Sequence, residues 1–153
     1  MVGHLLRSVD FQRVLATPPK SRSAHFSVHH VFARPSVTQK PVKAPLATEL
    51  STGDARSCPP LVDESQAAAP SGRWLGLVVP KRHARRAVTR NLLKRQMRAV
   101  MEMQAGTLTP GLWVLRLKAP FDRKQFVSPA SDPLRLCARD ELALLLQHAA
   151  ARR

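Results

Sequence analysis

Residues 75–101 read LGLVVPKRHARRAVTRNLLKRQMRAVM, and this stretch joins a strand pattern to a helix pattern. Its beginning is nearly all apolar, which is typical of a central strand, and Gly76 leaves the backbone there open to close approach. From about Ala87 to Met103 the apolar residues recur at helical spacing. We therefore predict a strand over 74–79, followed by a long amphipathic helix.

Spacing the residues about 100° apart around the helix axis separates two faces. One half is apolar and is expected to dock on a sheet: Val88, Leu92, Leu93, Met97, Ala99 and Val100. The other half carries cations and an amide, with Met101 among them: Arg90, Asn91, Lys94, Arg95 and Arg98. An ordinary solvated face would mix charge signs, because like charges four residues apart destabilise a helix. This row of positive charges contains no acidic residue, and it therefore indicates contact with a polyanion.

The whole chain is strongly basic, with 25 Lys and Arg against 10 Asp and Glu in 153 residues and a formal net charge of +15. This balance favours nucleic acid as the partner and argues against a typical small-molecule enzyme. The charge is +4 over residues 1–34, −1 over 35–72 and +12 over 73–153. The cations thus lie on the segments that are expected to fold into a single domain.

Residues 35–72 hold six of the 13 Pro and no aromatic residue, which predicts a disordered Pro/Ala-rich insertion within the domain. The longest apolar stretch, at 142–146, is too short to cross a bilayer, and the N-terminus lacks the pattern of a secretory signal. We expect a cytoplasmic protein. Two cysteines make neither a disulfide framework nor a zinc site; Cys58 is expected to be exposed in the insertion and Cys137 buried.

The remaining elements follow from capping and alternation. Ser8 is expected to cap a short first helix, and residues 25–33 are expected to form a strand with one apolar and one mixed face. Pro110-Gly111 predicts a turn into a third strand over 112–117, and Asp132-Pro133 predicts the cap of a last helix that ends near Ala150. The predicted order is helix, strand, strand, helix, strand, helix, with the helices packed on one sheet.

The basic stretch resembles the signature of the bacterial ribonuclease P protein component. That family pairs a Gly-containing strand and two basic residues with a helix that carries Arg-Asn-Arg-x-x-Lys-Arg-x-x-Arg. The matching positions are Lys81, Arg82, Arg85, Arg86, Arg90, Asn91, Lys94, Arg95 and Arg98. Leu92 departs from the pattern, since it stands where the family usually has its second Arg. DFQRVL, HFSVHHV and GLWVLRLKAP resemble the family's first helix, first strand and third main strand.

The resemblance implies an α+β fold: a single-domain two-layer α/β sandwich, ribosomal protein S5 domain 2-like, with a left-handed βαβ crossover. It implies the protein component of an endoribonuclease that removes the 5′ leader from precursor tRNA. The catalytic RNA subunit and its Mg²⁺, bound mainly by RNA, would perform the hydrolysis, so no catalytic or metal-ligating side chain is assigned to the protein. Neither a membrane nor an obligate protein partner is implied.

Two RNA surfaces follow from the resemblance. The nine matching residues of the basic stretch would bind the RNA subunit. The leader would lie in a cleft between the first helix and the sheet, lined by Phe11, Leu15, Phe26 and His29. His29 and Phe11 are candidates for stacking on leader bases, with core packing as the alternative for Phe11.

Two other interpretations stay open. One is a basic RNA-binding module, of the ribosomal or double-stranded-RNA type, that has no connection with tRNA processing. The other is a DNA-binding regulator that places the basic helix in a major groove. The sequence shows no dimerisation heptad and no helix-turn-helix pair, and a helix whose back packs on a sheet fits RNA better.

Overall fold

The computed structural model describes residues 1–36 and 69–152, and it confirms the predicted α+β class. The elements in chain order are β1 Gly3–His4, α1 Ser8–Leu15, β2 Ser21–Arg22, β3 Phe26–Val31, β4 Arg73–Val78, α2 Ala87–Met103, β5 Gly111–Leu117 and α3 Asp132–Ala151. The predicted bounds of α2 are confirmed. β1 and β2 were not predicted, because two residues are too few to show an alternating pattern.

The strands form one five-stranded sheet in the order β1-β4-β5-β3-β2. β4 and β5 run parallel and are joined through α2, which makes β4-α2-β5 a βαβ unit. β3 pairs antiparallel with β5, so that Phe26 lies opposite Leu117 and Val31 lies opposite Leu112. β4 is an interior strand, as predicted, because β1 pairs with its other edge. The left-handed sense of the crossover stays a prediction.

Alternation along β5 divides the core between the two faces of the sheet. Trp113, Leu115 and Leu117 pack in the larger cluster, with α2 and α3. Leu112 and Val114 pack in the smaller cluster, with residues of α1. The chain therefore places α1 on one face and both long helices on the other, which separates the surfaces that the two sides present.

The buried stripe of α2 is rotated from the predicted one. Leu93, Met97, Val100 and Met101 are buried, whereas Val88 is 53% exposed. Met101 was expected on the cationic half and Val88 on the docked half, so both expectations were wrong. The reason is packing against α3 as well as the sheet: the longest apolar side chains turn toward both. Val88 and the small Ala99 therefore lie at the exposed edges of the apolar half of α2.

Two helix caps and one burial prediction were also wrong. α1 begins at Ser8 itself, with Arg7 in the N-cap position and no side-chain cap. In α3 the cap is Ser131, whose hydroxyl accepts a hydrogen bond from the Leu134 N–H at 3.3 Å, so Asp132 is the first helical residue. Cys137 is exposed rather than buried, because the buried stripe of α3 runs through its neighbour Ala138.

The two ends of the predicted insertion are anchored to the fold. The backbone N–H and hydroxyl of Ser36 donate to the buried carboxylate of Asp10, the hydroxyl at 2.7 Å. At the other end, the Gly72 carbonyl accepts from the N–H of Gly111 at 2.9 Å. Gly111 has a φ of 130°, a left-handed conformation that suits glycine, and it confirms the turn into β5. Residues 37–68, which include Cys58, lie outside the described residues, so the disorder of the insertion stays a prediction.

Candidate RNA interface

The cations of the basic stretch lie together on the outer side of α2 and on the loop before it. Seven of the nine predicted RNA-binding residues are exposed: Lys81, Arg82, Arg85, Arg86, Asn91, Arg95 and Arg98. Arg90 and Lys94 are half-buried at the edge of the docked face. The buried stripe opposite holds the exposed groups in fixed positions, which lowers the entropic cost of meeting a phosphate backbone.

The charge of this surface is not neutralised within the described part of the chain. Its two ion pairs are His25 with Glu141 and Arg135 with Asp132, and neither involves a residue of α2. Glu102, near the end of α2, is that helix's one carboxylate. Unpaired guanidinium groups on a rigid face favour phosphate, which accepts their hydrogen bonds in a matching geometry.

Arg90 has a structural contact that the sequence did not reveal. Its Nη1 donates to the carbonyl of Ala84 at 3.0 Å and to that of Arg85 at 2.6 Å. These carbonyls belong to the loop that carries Arg85 and Arg86 into α2. Arg90 therefore positions neighbouring cations of the interface, in addition to any contact of its own with RNA.

The opposite face of the sheet carries the predicted leader surface. Phe11 of α1 lies over Gly76 of β4, where an added Cβ would stand 2.5 Å from the Phe11 Cε1. Phe11 and Leu15 both pack on the smaller core cluster and remain partly exposed. The structure thus brings these two predicted residues together where α1 meets the sheet.

His29 and Phe26 are placed differently from the prediction. His29 lies on the α1 face but is only 7% exposed, and its Nδ1 donates to the Thr17 carbonyl at 2.9 Å. It holds the chain at the end of α1 and offers little surface to a base. Phe26 is fully buried in the larger cluster on the other face. Because side chains alternate along β3, Phe26 cannot line one surface with Phe11, and that expectation was wrong.

Arg116 is a residue of the α1 face that sequence reasoning missed. It follows Leu112 and Val114 at alternate positions of β5, between Val78 and Ser27 in the strand register. Its Nε is buried and has no hydrogen-bond partner in the described residues. The sequence does contain a signal for this residue, since Arg116 is the one basic residue in the otherwise apolar run of β5. The side chain as a whole is partly exposed, and a guanidinium group on this face suits a phosphate of a bound strand.

The electrostatics around the end of β4 link the two surfaces. Partial burial and the charges of Arg82 and Arg116 lower the pKa of His83. Its Nε2 accepts a hydrogen bond from the Nε of Arg82 at 3.0 Å, which requires a neutral ring. His83 therefore adds no charge at neutral pH, and it orients Arg82.

The acidic side chains of the described residues are few, and some of them form hydrogen bonds within the fold. Residues 1–36 and 69–152 contain no group of three or more His, Cys, Asp or Glu placed to hold a metal ion. Two of the carboxylates are already committed, Asp10 to Ser36 and Glu141 to Ser23 and His25. The same part of the chain has no helix long and apolar enough to span a membrane.

Comparison with known proteins places this architecture in a family. A family model described as Ribonuclease P matches residues 3–139. The chain belongs to the ribonuclease P protein family. The match covers α1, the whole sheet, the basic helix and the first part of α3, so both candidate surfaces lie within it.

Individual relatives agree with this assignment. A ribonuclease P protein component from Paraburkholderia xenovorans is 42% identical over 150 residues, which cover 97% of this chain and 81% of the relative. One from Burkholderia pseudomallei is 43% identical over 83 residues, or 53% of this chain and 61% of the relative, which is less than two thirds of its length. The RNase P protein of Staphylococcus aureus matches over the full length of both chains, with a TM-score of 0.53 and 16% identity, and supports the fold alone.

Proposed function

We propose that this protein is the RNA-binding subunit of ribonuclease P and assists a catalytic RNA in removing the 5′ leader from precursor tRNA. The observation that carries the proposal is the unneutralised cation face of α2 in a chain of this family. In this role the protein supplies binding and charge screening in the cytoplasm, and the hydrolysis takes place on RNA.

The RNA subunit would meet the outer side of α2. The exposed cations there stand on a helix that is fixed by four buried side chains, and the loop before it is tied down by Arg90. The family's second Arg is replaced by Leu92, which is half-buried and packs against the core. Its loss removes one candidate contact and leaves the exposed row intact.

The leader would lie on the α1 face. Phe11 and Leu15 provide apolar surface there, and Arg116 provides a partly exposed guanidinium group on the same face of the sheet. Stacking surfaces together with cations are the usual means of holding a single strand without reading its sequence. His29 lies beneath this surface, where its hydrogen bond to the Thr17 carbonyl fixes the chain at the end of α1.

We assign the chemistry to the RNA partner, as the resemblance to the family implies. The described residues offer no cluster of carboxylates for Mg²⁺, and two of the carboxylates are engaged in internal hydrogen bonds. Mg²⁺ bound mainly by the RNA would supply the activation of water and the stabilisation of the leaving group. The protein's own groups bind the RNA and orient it.

The test is cleavage of a leader-bearing precursor tRNA by the cognate catalytic RNA at low Mg²⁺, with and without the protein. We expect strong stimulation that decreases when the leader is shortened. The double variant Arg95→Gln with Arg98→Gln should lower the slope of log K against log salt for the RNA subunit by about 1 to 2. Tight, salt-sensitive RNA binding without stimulation would instead favour an RNA-binding module that is unconnected with tRNA processing.

A further inference from the structure

A groove of about 560 Å³ lies at the N-terminal end of α2. One wall is the loop 82–86 with the first turns of α2, and the other is the segment 120–134, which leads into α3. We call it the arginine groove. The groove shares Arg82, Arg85 and Arg86 with the predicted RNA-subunit surface. Its second wall comes from the connection after β5, which belongs neither to that surface nor to the leader surface.

The lining of the arginine groove combines cations with aromatic rings. Among its described lining residues there is no Asp or Glu. The residues on which its chemistry depends are Arg82, Arg85, Arg86, Arg123, Phe121 and Phe126. Guanidinium groups next to exposed aromatic surface are the combination with which proteins hold an unpaired nucleotide.

The two walls are held together before any ligand binds. The hydroxyl of Thr89 donates to the Pro129 carbonyl at 2.8 Å, across the groove's two sides. Phe121 is stacked on His25 with ring centroids 4.0 Å apart, and Phe126 meets Phe121 edge to face at 5.8 Å. Phe126 remains partly exposed. Its ring is thus supported by a fixed neighbour, and ordering it costs little on binding.

The start of α2 adds backbone donors to the same place. Arg86 occupies the N-cap position and makes no side-chain cap, and the first turn contains no acidic residue. The first N–H groups of a helix have no partner within it, and the helix dipole favours an anion there. Arg85 and Arg86 stand beside these donors, so a phosphate at this end of the groove would be bound from several sides.

We propose that the arginine groove binds one unpaired nucleotide of the RNA subunit, with its base against Phe126 and its phosphate among the arginines. The proposal rests on the proposed function and adds a site of single-strand recognition to it. The volume suits a ligand of nucleotide size. An acidic peptide would contact the arginines without needing the aromatic ring. Replacement of Phe126 therefore distinguishes a bound nucleotide from a bound acidic peptide.

The experiment compares two groove variants with two matched controls. Phe126→Leu removes the aromatic face and keeps an apolar side chain; its control is Phe32→Leu, at an exposed phenylalanine outside the groove. Arg123→Gln removes one charge from the lining; its control is Lys124→Gln, the exposed neighbour that does not line the groove. Each full-length variant is titrated with the cognate catalytic RNA over a range of salt, and the RNA is probed chemically at unpaired bases in each complex.

We expect Phe126→Leu to weaken RNA binding by about 5-fold to 140-fold, since a base–aromatic stack is lost. Arg123→Gln should lower the salt slope by about 0.7. Both should make the same unpaired base reactive that the unaltered protein protects, whereas Phe32→Leu and Lys124→Gln should leave it protected. Thermal unfolding of Phe126→Leu checks that its fold is kept, and Arg123 is exposed, so its replacement does not disturb the core.

Groove variants that behave like their controls would overturn the proposal and leave the proposed function standing, provided that the unaltered protein binds and stimulates. An effect of Arg123→Gln without an effect of Phe126→Leu would also overturn it, because it would indicate a plain charge contact or an acidic peptide. Failure of the unaltered protein to bind the catalytic RNA would overturn the proposed function itself, and the groove assignment with it.

Discussion

The ring of Phe11 lies directly on Gly76, and this contact sets how closely α1 approaches the sheet. A Cβ at position 76 would stand 2.5 Å from the Phe11 Cε1, 2.9 Å from its Cζ and 3.0 Å from a methyl group of Leu5. Gly76 and Val114 are register partners on β4 and β5, so the ring rests in the middle of the α1 face. The geometry of the proposed leader surface therefore depends on the absence of a side chain at one position of β4.

Gly76→Ala should push Phe11 outward and tilt α1. We expect a loss of about 1 to 3 kcal/mol in the free energy of unfolding, the usual cost of overpacking, measured by urea denaturation. Stimulation of cleavage should fall more for a long leader than for a short one. Gly106→Ala is the control, because a Cβ there would have no neighbour within 4 Å. Equal stability of the two variants would contradict the close contact.

Arg90→Gln should affect both stability and RNA binding. It removes the two bonds from Nη1 to the Ala84 and Arg85 carbonyls, so we expect a loss of about 1 kcal/mol in unfolding free energy. The affinity for the RNA subunit should fall further than with Arg95→Gln, which removes the same charge from an exposed site of the same helix. Equal losses for the two variants would show that Arg90 does not position the loop.

Arg116→Gln should impair recognition of the leader without weakening the fold. Its buried Nε has no partner among the described residues, so its removal costs no hydrogen bond there. We expect the preference for a long over a short leader to drop by about 10-fold to 150-fold, measured as the ratio of cleavage efficiencies, since a hydrogen bond to a charged group contributes about 1.5 to 3 kcal/mol. Lys118→Gln, at an exposed site just after β5, is the control. A loss that is independent of leader length would exclude a contact with the leader.

Glu141 should make the fold sensitive to acid. Burial raises the pKa of its carboxyl, but hydrogen bonds from Ser23 and from His25 outweigh this, and the pKa lies below its ordinary value of 4.5. A depressed pKa stabilises the folded state above pH 4.5, and this contribution is lost as the pH falls through the folded-state value. Glu141→Gln should therefore be less stable than the unaltered protein at pH 7 and lose less stability between pH 5 and pH 3.

The comparison uses urea denaturation at each pH, with Asp140→Asn as the control at an exposed neighbour. Parallel pH profiles for Glu141→Gln and the unaltered protein would show that the carboxylate is not coupled to folding. The site joins β3 to α3, because the Glu141 carboxylate also accepts the backbone N–H of His25 at 2.6 Å. Loss of this contact would loosen Phe121 as well, since its ring is stacked on His25.

Long periodic segments and strong turn signals were predictable from the sequence. The bounds of α2 and the turn at Gly111 are confirmed, and β3, β4, β5 and α3 lie within one or two residues of their predicted positions. The errors at Ser8 and Asp132 concern a single cap residue each, where neighbouring side chains compete for the same N–H groups. The exposure of most of the cation row was also predictable, because so many cations on one helix cannot all be buried.

The sequence by itself determined the amphipathic helix, the sheet-forming segments and the concentration of positive charge, because local spacing and composition decide these properties. Only the tertiary structure decided that α2 turns Met101 inward and Val88 outward, and that Phe26 and Phe11 lie on opposite faces. It also decided that the Nε of Arg116 is buried without a hydrogen-bond partner among the described residues. The arginine groove also belongs to this second group, since residues 82–89 and 120–134 meet there across the chain. The physical reason is that burial and contact depend on which elements pack together, and a helix can rotate on its sheet to bury its largest apolar side chains.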